Sequence, residues 1–97
     1  MLHTVNKSPF LSGALESCLR FAQKDDPILF YEDGVYAAMS GTKVESLITD
    51  VIKEHPVYAL RADLSARGID SIIDGVNIVD YAGFVELVEQ HKTNAWL

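Results

Sequence analysis

Ile28-Leu29-Phe30-Tyr31 decides the fold: four consecutive large apolar residues, entered from Asp25-Asp26-Pro27 and left through Asp33-Gly34. A strand with one wet face would alternate apolar and polar residues. A short unbroken run between breaker residues instead reads as a strand covered on both faces. Upstream, Leu2 to Val5 reads as a first strand closed by Ser8-Pro9. Between the two lies a helix, starting at Pro9 with Ser8 as N-cap or later with Ser12 as cap. Ala14, Leu15, Cys18, Leu19, Phe21 and Ala22 share one face of it, and Glu16, Arg20 and Gln23 the other.

Downstream, Val35-Tyr36-Ala37-Ala38-Met39 reads as a short helical segment ended by Gly41. Thr42-Lys43-Val44-Glu45 has the form of a capping box. Val44, Leu47, Ile48, Val51 and Ile52 follow at helical spacing until His55-Pro56 stops them. Val57 to Leu60 is a third strand, after which Asp63 is placed to cap a short helical turn ended by Gly68. Val76 to Val79 is a fourth strand. Asp80 then caps a helix expected to carry Phe84, Val85, Leu87 and Val88 inward, and Ala95-Trp96-Leu97 is a last strand. Strands alternating with helices, with wholly apolar central strands, predict a three-layer α/β/α domain around a mostly parallel five-stranded sheet. Right-handed crossovers follow from that topology.

Residues 1–97 read as a single domain, with no linker, repeat or low-complexity tract. Hydrophobic residues at 48% and charged residues at 23% supply a real core. A folded chain of this mass should expose roughly 5,500 Å². Small size and high apolar content, with Tyr31, Tyr36, Met39 and Trp96 near expected sheet edges and loop ends, predict that the isolated chain self-associates or is marginally stable, as a chain built to share a surface. A net charge of −6 argues against direct docking on nucleic acid, which relies on Lys and Arg neutralising phosphates. No signal peptide is evident, and no apolar run approaches the ~18–20 residues that span a bilayer. The expected location is cytoplasmic, with no membrane association.

Motifs for chemistry are sparse. No G-x-G-x-x-G or G-x-x-x-x-G-K-[ST] occurs, and Gly41-Thr42-Lys43 lacks the rest of a phosphate cradle. His3, His55 and His91 have no ligand spacing and read as surface or strand-end histidines; no metal or other cofactor is expected. Asp25-Asp26 reads as a solvated turn, Glu86 and Glu89 as a solvated helix face, and Arg61 and Arg67 as partners for the acid excess. The single cysteine, Cys18, forms no internal disulfide. A thiolate can take a sulfur atom as a persulfide and surrender it to another thiolate. Cys18 nevertheless sits mid-stripe between Ala14 and Ala22, where inert core cysteines are common, and no adjacent base activates it.

Beyond single motifs, MLHTVNKSPF at 1–10, EDGVYAA at 32–38, YAL with DLSARG at 58–68, VDYAGFVEL at 79–87 and the closing AWL together resemble the TusB/DsrH family, in order and spacing along nearly the whole chain. The resemblance implies a DsrE-like fold. It also implies membership of a heterohexamer, a dimer of heterotrimers, with TusC/DsrF-like and TusD/DsrE-like sisters. It implies a sulfur relay that passes persulfide sulfur toward 2-thiolation of a tRNA wobble uridine through a TusE/DsrC-like acceptor. The alternative branch is a DsrH-type subunit in cytoplasmic sulfur oxidation. The main persulfide cysteine is then expected on a sister subunit, with Cys18 as a candidate secondary carrier. A purely structural subunit is the competing reading, and whether the chain is itself an enzyme stays open.

Overall fold

The computed structural model describes all of residues 1–97. Five parallel strands form one sheet: β1 (Leu2–Val5), β2 (Ile28–Phe30), β3 (Val57–Leu60), β4 (Asn77–Val79) and β5 (Thr93–Trp96). Their order is β4-β3-β2-β1-β5. The connections carry α1 (Ala14–Phe21), a 3₁₀ helix (Glu32–Ala38), α2 (Glu45–Ile52), α3 (Arg61–Ala66) and α4 (Tyr81–Gln90). The solvent-accessible surface is 5416 Å², close to the value expected from chain mass.

Register explains which residues meet. His3 pairs with Ile28 and Val5 with Phe30, while Ile28 pairs with Val57 and Phe30 with Ala59. Paired residues in neighbouring strands point to the same side, so these six line one face. On that face Val5, Ile28, Phe30, Val57 and Ala59 join Leu15 and Cys18 of α1, Ile48 and Val51 of α2 and Leu64 of α3 in a single core. The first three crossovers all step from β1 toward β4, and right-handedness places them on this common side. The last crossover runs the opposite way, from β4 to β5, and so puts α4 over the other face, which bears Leu2, Thr4, Leu29 and Leu60. Tyr31, continuing that face beyond β2, stacks on Phe84 of α4 at 5.9 Å between ring centroids.

Several local expectations are corrected. Helix α1 begins at Ala14, not Pro9, because Ser8 builds a turn: its carbonyl accepts from the N–H groups of Leu11 and Ser12. Ser12, the later cap candidate, accepts at Oγ from Ala14 N two residues on, and the helix starts at Ala14 with Gly13 between them. In the 42–45 box, Glu45 accepts from Gly41 N at 2.6 Å and Thr42 from Val44 N, which shifts the motif and delays α2 to Glu45. Asp63 lies inside α3 and caps nothing there; its carboxylate accepts from Glu32 N at 2.6 Å. None of the residues of α4 is buried, although Phe84, Val85, Leu87 and Val88 were all expected to point inward. Tyr36, Met39 and Trp96 pack partly buried against the core, Trp96 on the edge strand β5.

Candidate functional site

Open doubly wound sheets place functional groups beyond the carboxyl ends of their strands. Val5 ends β1, and Gly34 opens against it: a Cβ on Gly34 would stand 2.0 Å from the Val5 carbonyl oxygen. Only glycine fits there, which is the physical content of the Glu32-Asp33-Gly34 motif. Arg67, at the end of α3, donates from Nε and Nη2 to Asp33 Oδ1 at 3.0 and 2.8 Å and from Nη1 to the Asp63 carbonyl. Asp33 raises the Arg67 pKa further above its ordinary value. This network ties DLSARG to EDG. Both blocks are therefore explained as one structural lock between the ends of β2 and β3. Beside it lies an open cleft of about 450 Å³ lined by Ser8, Phe10, Leu11, Asp33 and Tyr36. Ser8 has no histidine beside it, so the cleft offers contact surface and no activated nucleophile.

Cys18 lies elsewhere. The turn of α1 that carries it presses onto the sheet, and the thiol is wholly buried within the core. Burial first, and then the negative charge of Asp26, push its pKa up to about 12. At neutral pH the neutral thiol therefore predominates. None of the open clefts is lined by Cys18. Nucleophilic attack needs a reachable thiolate. In this conformation Cys18 is neither deprotonated nor reachable.

A third cluster was missed in the sequence. His3, expected as a surface or strand-end histidine, lies in β1 and is fully buried, and His55, just before β3, is nearly so. Trp96 Nε1–H donates to His3 Nδ1 at 3.1 Å, so the ring hydrogen sits on Nε2 and is given to Asp26 Oδ2 at 2.9 Å. Asp26 also accepts from the N-terminal ammonium and from Gln23 N, while its carbonyl bonds the ring of His55. Burial works against ionisation of Asp26, but the His3, Gln23 and N-terminal hydrogen bonds outweigh it and hold its pKa down at about 2. The Asp25-Asp26 pair is thus half solvated turn and half anchor. Its signal was the spacing of His3 and Val5 in β1, which puts the imidazole on the same face of the sheet as a core valine. No group of three His, Cys, Asp or Glu side chains is placed to hold a metal ion, and no helix is long and apolar enough to cross a membrane.

Residues 7–94 match the family model described as DsrH like protein. The chain belongs to the DsrH-like family. It is 40% identical to Protein TusB of Escherichia coli (strain K12) over 99 aligned positions, covering 99% of this chain and 100% of that one. Against Protein TusB of Shigella dysenteriae serotype 1 (strain Sd197) the identity is 41%, with the same coverage. Among solved structures, the ychN protein of E. coli superposes with a TM-score of 0.80 at 21% identity, covering 95% of this chain and 94% of that one. A protein of unknown function from Methanobacterium thermoautotrophicum gives 0.71 at 13%, covering 97% and 96%. These two likenesses concern the fold alone. The all-parallel sheet with helices on both faces is the fold that this chain shares with these two structures.

Proposed function

We propose that this chain is a subunit of a cytoplasmic sulfur relay complex that passes persulfide sulfur between proteins for 2-thiolation of a tRNA wobble uridine. Its expected sisters are TusC/DsrF-like and TusD/DsrE-like chains in a heterohexamer, with a TusE/DsrC-like acceptor downstream. The observation that carries this reading is the 40% identity to Protein TusB along the full length of both chains. In such a transfer an acceptor thiolate attacks the outer sulfur of a donor persulfide. A new S–S bond forms as the old one breaks, and the donor departs as thiolate without net oxidation.

Within that reading, the burial of Cys18 supports a subunit that completes the complex while the persulfide travels on a sister's cysteine. A carrier role for Cys18 requires α1 to lift from the sheet. The acid excess suits a chain that meets other proteins and not the tRNA. The test is deletion of this chain's gene followed by measurement of 2-thiouridine in tRNA. Loss restored by the wild-type chain is expected, and restored equally by Cys18→Ala. Unchanged thiouridine together with a defect in sulfur oxidation would assign the DsrH-type branch instead.

A further inference from the structure

Helix α4 is held tightly at its start and left bare along its flank. Asp80 Oδ1 accepts from Gly83 N at 2.8 Å, and Gly83 lets the helix approach β4 so closely that an added Cβ would stand 3.2 Å from Val79. Gly83 and Leu87, one turn apart, therefore face the sheet. Tyr81, Val85 and Val88 recur at helical spacing on a neighbouring flank and remain 68%, 43% and 40% exposed. Phe84 sits between the two sides, stacked on Tyr31 and meeting Tyr81 edge-on at 5.8 Å. Together with Glu89 these side chains line a cleft of about 210 Å³.

We propose that this flank docks a different protein chain, a sister in the relay complex, through an apolar or aromatic side chain bordered by Lys or Arg. The assignment rests on the relay-subunit reading and adds to it a place and a chemistry. Pre-stacked aromatics beside a small apolar cleft are the kind of anchor that concentrates binding energy. Charge selects the occupant. From Gly68 to His91 the chain carries Asp70, Asp74, Asp80, Glu86 and Glu89 and no Lys or Arg. Glu86 and Glu89 are exposed on α4, and Glu89 borders the cleft itself. In a two-fold pairing of identical chains the same patch meets itself, so a second copy would bring these carboxylates together. A basic-rimmed partner neutralises them.

The test is co-expression of the full chain with its TusC/DsrF-like and TusD/DsrE-like sisters, with the affinity of purified subunits measured at low and high salt. Val85→Glu and Tyr81→Ala should each weaken assembly by about ten-fold or more. The pair Glu86→Lys with Glu89→Lys should do the same, and wild-type affinity should fall as salt rises. Thermal unfolding of each isolated variant should match the wild type, since these side chains are exposed. Wild-type assembly with undiminished binding by Val85→Glu and Tyr81→Ala overturns the docking assignment alone. A self-dimer abolished by Val85→Glu overturns it in favour of a second copy. Failure of the unmutated chain to assemble overturns the relay-subunit reading and this assignment with it.

Discussion

Helices α1 and α4 look alike as sequence, each an amphipathic crossover between parallel strands, yet they end in opposite conditions. The α1 side closes over a core in which Leu15, Cys18, Phe30, Ile48 and Val57 are buried together with their neighbours. The α4 side covers Leu2, Leu29 and Leu60 but buries none of its own residues. Three crossovers share the first face, and a single helix has the second to itself. The difference teaches that periodicity identifies an apolar stripe without saying who covers it. On α1 the chain covers its own stripe; on α4 the stripe is wider than the contact the sheet can offer.

The two sides should respond very differently to damage. Phe30→Ala, the largest fully buried side chain of the α1 face, should cost about 3–5 kcal/mol in urea unfolding. That is a large share of the roughly 5–15 kcal/mol total of a domain this size. A loss below about 1 kcal/mol would break the contrast. Gly34→Ala drives a methyl group toward the Val5 carbonyl and should destabilise by about 3 kcal/mol, with disturbed amide signals around Val5 and Gly34. Near-wild-type stability would mean the EDG lock is not rigid. Cys18→Ser places a hydroxyl in the apolar interior and should lower the unfolding free energy by about 2 kcal/mol, whereas Cys18→Ala should cost less.

Acid separates a further contribution. Asp26 has a folded pKa of about 2 against 3.8 for the free side chain, so its folded state holds the proton less tightly than the unfolded one. Its stabilisation is complete above about pH 4 and disappears as pH falls toward 2. Allowing for solvent screening, the amount is about 1 kcal/mol. Asp26→Asn should flatten the stability profile in that window; an unchanged slope would remove Asp26 as its source. At the small end, Val85→Ser on the exposed flank of α4 should change the isolated chain's stability by less than about 0.5 kcal/mol. A larger loss would mean that the flank is covered within the chain itself.

The strands were legible because their central members are apolar on both faces: Ile28, Leu29 and Phe30 are all buried, and so are Leu2, Val5, Val57 and Leu60. Strand order beyond that rests on pairing between distant segments, which no local pattern encodes. Caps were misread where serine, threonine and aspartate bonded outside their own helix, as Asp63 does with Glu32. The burial and partners of His3 were not legible because they come from Trp96 and Asp26, 93 and 23 residues away. Cys18 was read correctly as part of the apolar stripe of α1. Its helix wheel and its burial favour the same core role, while the family resemblance had kept the carrier role open.

The central claim is that this subunit lends surface and not sulfur. It is tested most directly by loading the assembled complex with persulfide sulfur and weighing each intact chain, with native and unfolded thiol labelling alongside. The account predicts that this chain gains no sulfur and that Cys18 reacts only after unfolding, while a sister chain gains one sulfur atom. A one-sulfur increase on this chain in the native complex, abolished by Cys18→Ser, would contradict it.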